Sequence, residues 1–549
     1  MRDQLTGDLN PDRFDSLLDV LNYAVDQHGG LPAYRCLGAT LNYRELGKLS
    51  DRFALYLQQS TALQPGDRIA IQLPNVLQFP VVFFGAVKAG LVVVNTNPLY
   101  TEREMLHQFR DSGVKAIVIL SNFCAKLQKV LPDTSIETVI VTGIGDLLGW
   151  PRRLLVNWGA RYLKKMIPPY SLPGAVTLTD VLKYGADLSA ANKHRSGKEL
   201  ALILYTGGTT GYAKGVMLSH KNLITNMMQL RARCIMVIND QEDTILAPLP
   251  LYHSYAFLFH CLVMTLAGNC SVLIPNPRDL NALVKTLRAQ PVQGIVGINT
   301  LFLGLLHHPQ IKRVDFSSLR FTGAGGMPLN RSVAQQWEAL TGCEIFEGYG
   351  LTECSPVVSV NLPGHNKAGT VGLAVPETEL RVVDDAGVTV GRNARGELWV
   401  RGPQVMQGYW NNPEDTATVL TADGWFKTGD YVEIDDEGYI RIVDRKKDMI
   451  LVSGFNVVPG EIEEHVNRHP DILESAAIGV PDDETGEAVI LYVVAKNKSL
   501  NAGELMSYCK TGLTGYKRPR EIVFVESLPK SIIGKVLRRE LRDLYEAQH

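Results

Sequence analysis

The chain reads as an α/β protein: a large N-terminal domain of layered α/β sheets carrying a small β-subdomain, followed by a small α+β C-terminal domain. Three observations predict this. Short β-rich runs alternate with helical stretches over most of the length, the pattern of helices layered on largely parallel sheets. From about residue 370 the pattern changes to strand-turn-strand. A charged run, Asp444-Arg445-Lys446-Lys447-Asp448, then separates the last hundred residues from the rest. A chain of 549 residues also exceeds what one hydrophobic core holds, roughly 250–300 residues.

The elements follow in order. Asp67–Gln72 reads as a strand, Leu77–Ala89 as a helix and Val92–Val94 as the next strand; Val114–Leu120 and Ile136–Val141 repeat the strand pattern. Leu202–Tyr205 is a buried-strand run, and Leu319–Phe321 another. Leu380–Val383 and Glu397–Val400 flank the turn residues Asp384-Asp385-Ala386-Gly387, a hairpin signature. Tyr439–Val443 is strand-like. The boundaries are therefore placed at 1–443 for the N-terminal domain, with its β-subdomain at about 370–443, and 444–549 for the C-terminal domain. No repeat or low-complexity tract interrupts this order.

Composition narrows the function classes. With 45% hydrophobic and 20% charged residues and a formal net charge of −2, the chain has the balance of a soluble globular protein and lacks the basic excess of a general nucleic-acid binder. The 8 cysteines form no C-x-x-C pair and no metal-ligand spacing, so buried free thiols in a reducing compartment are expected. The N-terminus is polar, without the apolar core of a secretory signal. The longest apolar run, Ala256–Gly268, contains His260 and falls short of the roughly 20 residues that span a bilayer. A cytoplasmic protein is expected.

One segment stands apart. Trp150–Pro169 combines Arg152, Arg153, Arg161, Lys164 and Lys165 with Trp150, Trp158 and several leucines. Such a helix either lies in a membrane interface or packs its apolar side on the core. The second reading is slightly preferred.

The chemistry-bearing motifs begin at Thr206. The run Thr206-Gly207-Gly208-Thr209-Thr210-Gly211-Tyr212-Ala213-Lys214-Gly215 follows a strand directly. Its four glycines let several N–H groups point into one concavity, and three threonines, one lysine and no acid complete a polyphosphate-friendly set. The spacing is not that of G-x-x-x-x-G-K-[ST]. Phe346-Glu347-Gly348-Tyr349-Gly350-Leu351-Thr352-Glu353 sets an aromatic ring beside bare backbone at a strand end, a slot for a planar base. Glu353 is a hard oxygen ligand suited to Mg²⁺. Asp430, within Asp423–Asp430, can accept hydrogen bonds from two vicinal hydroxyls.

These runs resemble the adenylate-forming (ANL) superfamily, which includes acyl-CoA synthetases, luciferases and peptide-synthetase adenylation domains, in motif order and spacing from about Asp15 to Arg542. The common form has Ser at 207 and Pro at 213; Gly207 and Ala213 stand here, a variant that resembles bacterial long-chain fatty-acid–CoA ligases. The resemblance implies residue roles. Thr206, Gly207, Gly208, Thr209, Thr210, Gly211 and Lys214 would bind the phosphates of ATP. Tyr349 would stack on adenine against Gly325 and Gly326 of Gly323-Ala324-Gly325-Gly326, a run placed after the strand Leu319–Phe321. Asp430 and Arg445 would hold the ribose. Thr206 and Glu353 would hold Mg²⁺, and Thr352 would approach the adenylate phosphate. Lys535, in Lys530–Arg539, would be the catalytic lysine. Lys447 would be the hinge of a mobile C-terminal domain. Ser453 and Gly454 would form the loop that meets coenzyme A, and His253 would border the acyl site, a core histidine being the alternative.

The implied reaction joins a fatty acid, ATP and CoA as AMP, pyrophosphate and acyl-CoA through an acyl-adenylate. A medium-chain or aryl acid–CoA ligase of the same fold is the nearest rival, and a non-catalytic acyl or nucleotide binder the rival from another class. No nucleic acid is expected as a partner. Peripheral membrane contact and a homodimer are both compatible with the chain.

Overall fold

The computed structural model describes residues 10–184, 196–206, 213–234, 236–445, 448–453, 455–482, 484–497, 499–531 and 534–548. The chain divides into two compact units. The first comprises 1–366, 374–379 and 401–426; the second comprises 367–373, 380–400 and 427–549.

Two sheets organise the first unit. In one, Val176–Thr177, Thr138–Thr142, Ala116–Leu120, Arg68–Gln72, Val92–Asn95 and Leu200–Thr206 lie side by side, all parallel. Lys214–Ser219 and Gly408–Tyr409 then extend it antiparallel. Its strands are nearly continuous Val, Ile and Leu runs because helices cover both faces. The helix Gln78–Lys88 is buried along its whole length. The other sheet runs Leu373–Ala374, Val357–Val360, Ile345–Gly350, Phe321–Gly325, Gly294–Gly297, Thr244–Ala247, Cys270–Leu273, Pro32–Cys36 and Ala39–Asn42; it is parallel from Ile345–Gly350 to Pro32–Cys36, and these two strands pair antiparallel with Val357–Val360 and Ala39–Asn42. The apolar run Ala256–Gly268 is a buried helical segment of this unit, partly π-helical.

Here two expectations change. Gly323, Ala324 and Gly325 do not follow a strand; they are the strand Phe321–Gly325. Likewise Gly348-Tyr349-Gly350 does not come after the strand end; it is the last part of the strand Ile345–Gly350. Glycine usually weakens a strand, and it is required here because another backbone comes close. A Cβ on Gly350 would lie 2.1 Å from the Pro356 carbonyl oxygen.

The segment Trp150–Pro169 also differs from the preferred reading. Arg152–Trp158 is α-helical and Gly159–Leu163 continues it as a π-helical turn, but the apolar side faces solvent. Trp150, Leu154, Leu155, Trp158, Tyr162 and Leu163 are all exposed. The helix is tied to the loop after Thr138–Thr142 by Asn157, which accepts a hydrogen bond from Gly145 N and donates one to Asp146 Oδ1, both at 2.8 Å.

The second unit holds a four-stranded sheet of Glu379–Val383, Arg395–Arg401, Phe426–Ile434 and Ile440–Arg445, and a five-stranded sheet built on the long hairpin Ile472–Asp482/Gly486–Ala495. Side chains alternate strictly along Gly486–Ala495. Val489, Leu491 and Val493 pack with the helices Pro459–Val466 and Ala502–Gly512, while Ile490 and Tyr492 pack with Leu541 of the helix Arg538–Glu546. The charged run at 444–448 is no solvated linker at its described ends. Asp444 and Asp448 are buried.

All eight cysteines are buried and free. Burial pushes the thiols of Cys36, Cys124, Cys234 and Cys261 up to about 12 and those of Cys270 and Cys509 up to about 11. Among the described residues, no helix is long and apolar enough to cross a membrane.

Candidate active site

In a parallel sheet the carboxyl ends of the strands open onto loops, and ligands bind there. Leu200–Thr206 ends at this edge and turns back on itself, with Thr206 paired in register with Lys214. Gly207, Gly208, Thr209, Thr210 and Gly211 lie outside the described residues; what is described is the base that carries them. Trp410 N donates to Gly215 O at 2.7 Å, the His107 ring meets the Ala213 carbonyl at 2.9 Å, and Tyr205 donates its hydroxyl to Asp111. Lys214 Nζ lies 2.7 Å from Asp415 Oδ2 and 5.2 Å from the centre of the Tyr409 ring. The lysine hydrogen bond, then that of the Asn412 amide, hold the Asp415 carboxyl below its ordinary range.

The second sheet contributes the next group from its own carboxyl edge. Gly325 and Gly348 are register partners on neighbouring parallel strands, so two bare backbones lie side by side next to Tyr349. A Cβ at Gly325 would sit 3.1 Å from Gly348 O and 3.4 Å from the Tyr255 ring. Gly326 follows with φ of 78°, a left-handed conformation that favours glycine. Thr352 and Glu353 occupy the short 3₁₀ turn Thr352–Cys354. Thr352 Oγ1 lies 3.3 Å from Ser254 Oγ, and Tyr409 donates its hydroxyl to Glu353 Oε1 at 3.0 Å. Burial, then the Glu353 carboxylate, push the Tyr409 phenol well above its ordinary value, so it stays a donor. Tyr409 thus touches Glu353 with its hydroxyl and Lys214 with its ring face, joining the two sheet edges.

His253 caps the short helix Ser254–Ala256, and burial drives its imidazole down to about 4; it is neutral near pH 7. Nearby, Phe257, Leu258, Phe259, Leu301 and Phe302 are core residues, and Leu303 is half-buried. Phe259 stacks on Phe321 at 5.9 Å, and Phe321 on Phe346 at 6.1 Å. Glu347, on the same strand as Tyr349, has its carboxyl pushed up to about 7 by burial.

The second unit carries the remaining predicted residues. Asp430 is buried in the strand Phe426–Ile434, opposite Arg445 in register, and the preceding Gly429 N donates to Glu397 Oε1 at 3.1 Å. The Arg445 side chain, Lys447 and Gly454 lie outside the described residues. Ser453 is at the tip of a tight hairpin in which Val452 pairs with Phe455; its φ of 50° is what a two-residue hairpin turn demands. Phe455 stacks on Tyr516 at 4.6 Å. Lys535 sits in a turn closed by Ser531 N to Lys535 O at 2.7 Å, bracketed by a bridge between Lys530 and Val536. Three residues on, Arg538 reaches Glu463 at 2.8 Å, Asp448 at 3.5 Å and Asp444 at 3.8 Å. Burial opposes its charge, but these carboxylates outweigh that and hold the guanidinium above its ordinary value.

Sequence reasoning missed Tyr409, Asp415, Ser254, Tyr255 and Arg538. Gly408-Tyr409-Trp410-Asn411-Asn412-Pro413 was legible as aromatic residues ahead of a helix start, but nothing local pointed it at Glu353, 56 residues away.

The family described as AMP-binding enzyme matches residues 21–410, and the one described as AMP-binding enzyme C-terminal domain matches residues 461–535. A long-chain-fatty-acid–CoA ligase of Yersinia pestis is 47% identical over 98% of this chain and 96% of its own length. A 4-coumarate–CoA ligase of Oryza sativa is 31% identical, over 96% of this chain and 92% of its own. Among solved structures, ATP-bound MatB from Rhodopseudomonas palustris superimposes with a TM-score of 0.82 at 29% identity, covering 96% of this chain and 99% of that one.

Proposed function

Because the chain belongs to the AMP-binding enzyme family, we propose that it is an AMP-forming acid–thiol ligase that converts a long-chain fatty acid, ATP and coenzyme A into acyl-CoA, AMP and pyrophosphate. The observation that carries the reading is the line Glu353–Tyr409–Lys214, which brings a hard carboxylate and a cation to the mouth of a glycine-threonine loop. Long-chain preference is supported by the 47% identity, over nearly the whole chain, to a ligase of that specificity.

In the first half-reaction the fatty carboxylate attacks the α-phosphorus of ATP and pyrophosphate leaves. Thr206, Lys214 and the loop between them receive the β- and γ-phosphates, for which Lys214 exchanges its contact with Asp415. Tyr349 stacks on adenine along the bare edge of Gly325 and Gly326, and Asp430 and Arg445 hold the ribose. Thr352 approaches the α-phosphate. Lys535 bridges carboxylate and phosphate and favours the charge that gathers there. Glu353 and Thr206 offer hard oxygens of the kind Mg²⁺ takes alongside substrate phosphates, and the hydroxyl of Tyr409 fixes the direction of the carboxylate. Bound there, the ion would neutralise phosphate charge.

In the second half-reaction residues 444–549 turn about a hinge at Lys447, withdrawing Lys535 and presenting Ser453 and Gly454. The CoA thiolate attacks the acyl carbonyl and AMP departs. His253, neutral near pH 7, borders the acyl chain. We place the enzyme in the cytoplasm, in peripheral contact with the inner face of the membrane that holds its substrate; a homodimer is compatible with this placement.

A panel of octanoate, palmitate, oleate and coumarate with CoA, read as AMP and acyl-CoA, tests the assignment. Palmitate and oleate should lead. Faster turnover of coumarate or octanoate would replace long-chain specificity by an aryl or medium-chain one. Tight binding of supplied acyl-AMP with no AMP released in the presence of CoA would make the chain a non-catalytic binder.

A further inference from the structure

Large apolar side chains belong inside, and a contiguous exposed group of them on a folded unit marks an interaction surface. The segment after the strand Thr138–Thr142 carries such a group. Leu154, Trp158 and Tyr162 recur every fourth residue, so they form one row along the helix, with Leu155 and Leu163 beside it and Trp150 just ahead of its first residue. Trp150 is 84% exposed, Leu163 70% and Leu155 65%. The helix is not loosely placed. Its inner side is fastened by Asn157 to Gly145 and Asp146, Ala160 is buried, and Arg152 donates to the Gly38 carbonyl. The apolar row therefore points outward from a helix whose other side is fixed.

Charge indicates what covers it. Between Asp146 and Asp180 the sequence has Arg152, Arg153, Arg161, Lys164 and Lys165 and no acidic residue. Arg153 turns back toward Asp146, at 3.9 Å, while Arg161, Lys164 and Lys165 are exposed beside the apolar row. Tryptophan, tyrosine and leucine on one side with lysine and arginine at the rim suit the boundary between headgroups and acyl chains of an anionic bilayer.

We propose that residues 150–166 dock the protein on an anionic lipid surface, with Trp150, Leu154, Leu155, Trp158, Tyr162 and Leu163 entering the interface and Arg161, Lys164 and Lys165 meeting lipid phosphates. This deepens the membrane contact proposed above by giving it a surface. The topology gives that surface a use. Thr138–Thr142 and Leu200–Thr206 are parallel strands of one sheet with three strands between them, so their carboxyl ends share an edge, about 19 Å apart at about 4.8 Å per strand. The chain leading to the docking helix leaves the sheet at the edge where Thr206 ends its strand.

The test is co-sedimentation of the full-length protein with vesicles of phosphatidylcholine alone, or of equal parts phosphatidylcholine and phosphatidylglycerol. Wild type should sediment with the mixed vesicles, less as salt rises, and not with phosphatidylcholine alone. L155D/L163D and R161E/K164E/K165E, all at exposed positions, should each lower the bound fraction more than about tenfold. Both should keep wild-type turnover of soluble octanoate and lose turnover of palmitate supplied in the mixed vesicles. Wild type failing to bind, or variants binding as wild type does, overturns the proposal. So does sedimentation equilibrium in which L155D/L163D splits a wild-type dimer while vesicle binding is unchanged, which would make the row a self-interface. If the variants lose vesicle binding while no acid is turned over by any form, the docking surface stands and the ligase assignment falls.

Discussion

The polar groups around Glu353 and those around Arg538 are held in opposite ways. In the first unit each functional side chain has its own partner: Thr352 has Ser254, Glu353 has Tyr409, and Lys214 has Asp415. In the second unit Asp444, Asp448 and Glu463 converge on one guanidinium. A distributed arrangement lets each contact weaken without loosening the rest, as suits a surface that must accept substrate. A convergent one stands or falls together. It flanks the segment 444–448, the proposed hinge, where an all-or-none hold is the useful property.

The sharpest test of this contrast uses two residues three apart. Lys535→Ala should lower fatty-acid-dependent pyrophosphate exchange by on the order of a thousandfold, leave the melting temperature unchanged, and still allow supplied acyl-AMP to become acyl-CoA. Unchanged exchange would remove Lys535 from adenylation. Arg538→Met should do the reverse to stability. Stripping the cation from three carboxylates costs about 3–5 kcal/mol, visible as an early unfolding step of the second unit in calorimetry, and a single unshifted transition would show that the convergence carries little energy.

Glu347 offers the complement, a carboxyl of the first unit raised to about 7 by burial, with no ion pair among the described residues. Its folded pKa lies above its unfolded one, so its contribution to stability is full below about pH 4.5 and is lost as pH rises through 7. Glu347→Gln should flatten that loss and stabilise the protein at pH 8 by about 3 kcal/mol, since one pKa unit corresponds to about 1.4 kcal/mol. A Gln variant whose thermal stability from pH 5 to 8 follows the wild type would contradict this. The smallest effect belongs to the distributed side. Tyr409→Phe removes one hydrogen bond to Glu353, about 1 kcal/mol, and should raise the Mg²⁺ concentration needed for half-maximal rate severalfold with little change in melting temperature.

Much of the fold was legible because buried parallel strands announce themselves as apolar runs. Arg68–Gln72, Val92–Asn95 and Ala116–Leu120 begin and end within two residues of expectation. The glycine-bearing strands at Phe321–Gly325 and Ile345–Gly350 were misplaced, since glycine reads locally as a turn and only the neighbouring backbone explains it. The helix at 152–163 was ambiguous for a different reason: the same spacing places an apolar row on one face, whether that face is packed or bare. Arg538 stood in view within the run Lys530–Arg539, yet its partners lie 75 to 94 positions earlier. Ion pairs at such separations have no sequence pattern.

The buried cysteines have a practical consequence. An enzyme that hands acyl groups to a free thiol works beside a reactive competitor for disulfide exchange, and thiolate fraction governs that exchange. Every cysteine of this chain is buried, and burial keeps most of their thiols protonated at working pH. A chromogenic disulfide added to the folded protein therefore counts coenzyme A and nothing else, so the consumption of its own thiol substrate is directly readable by colour.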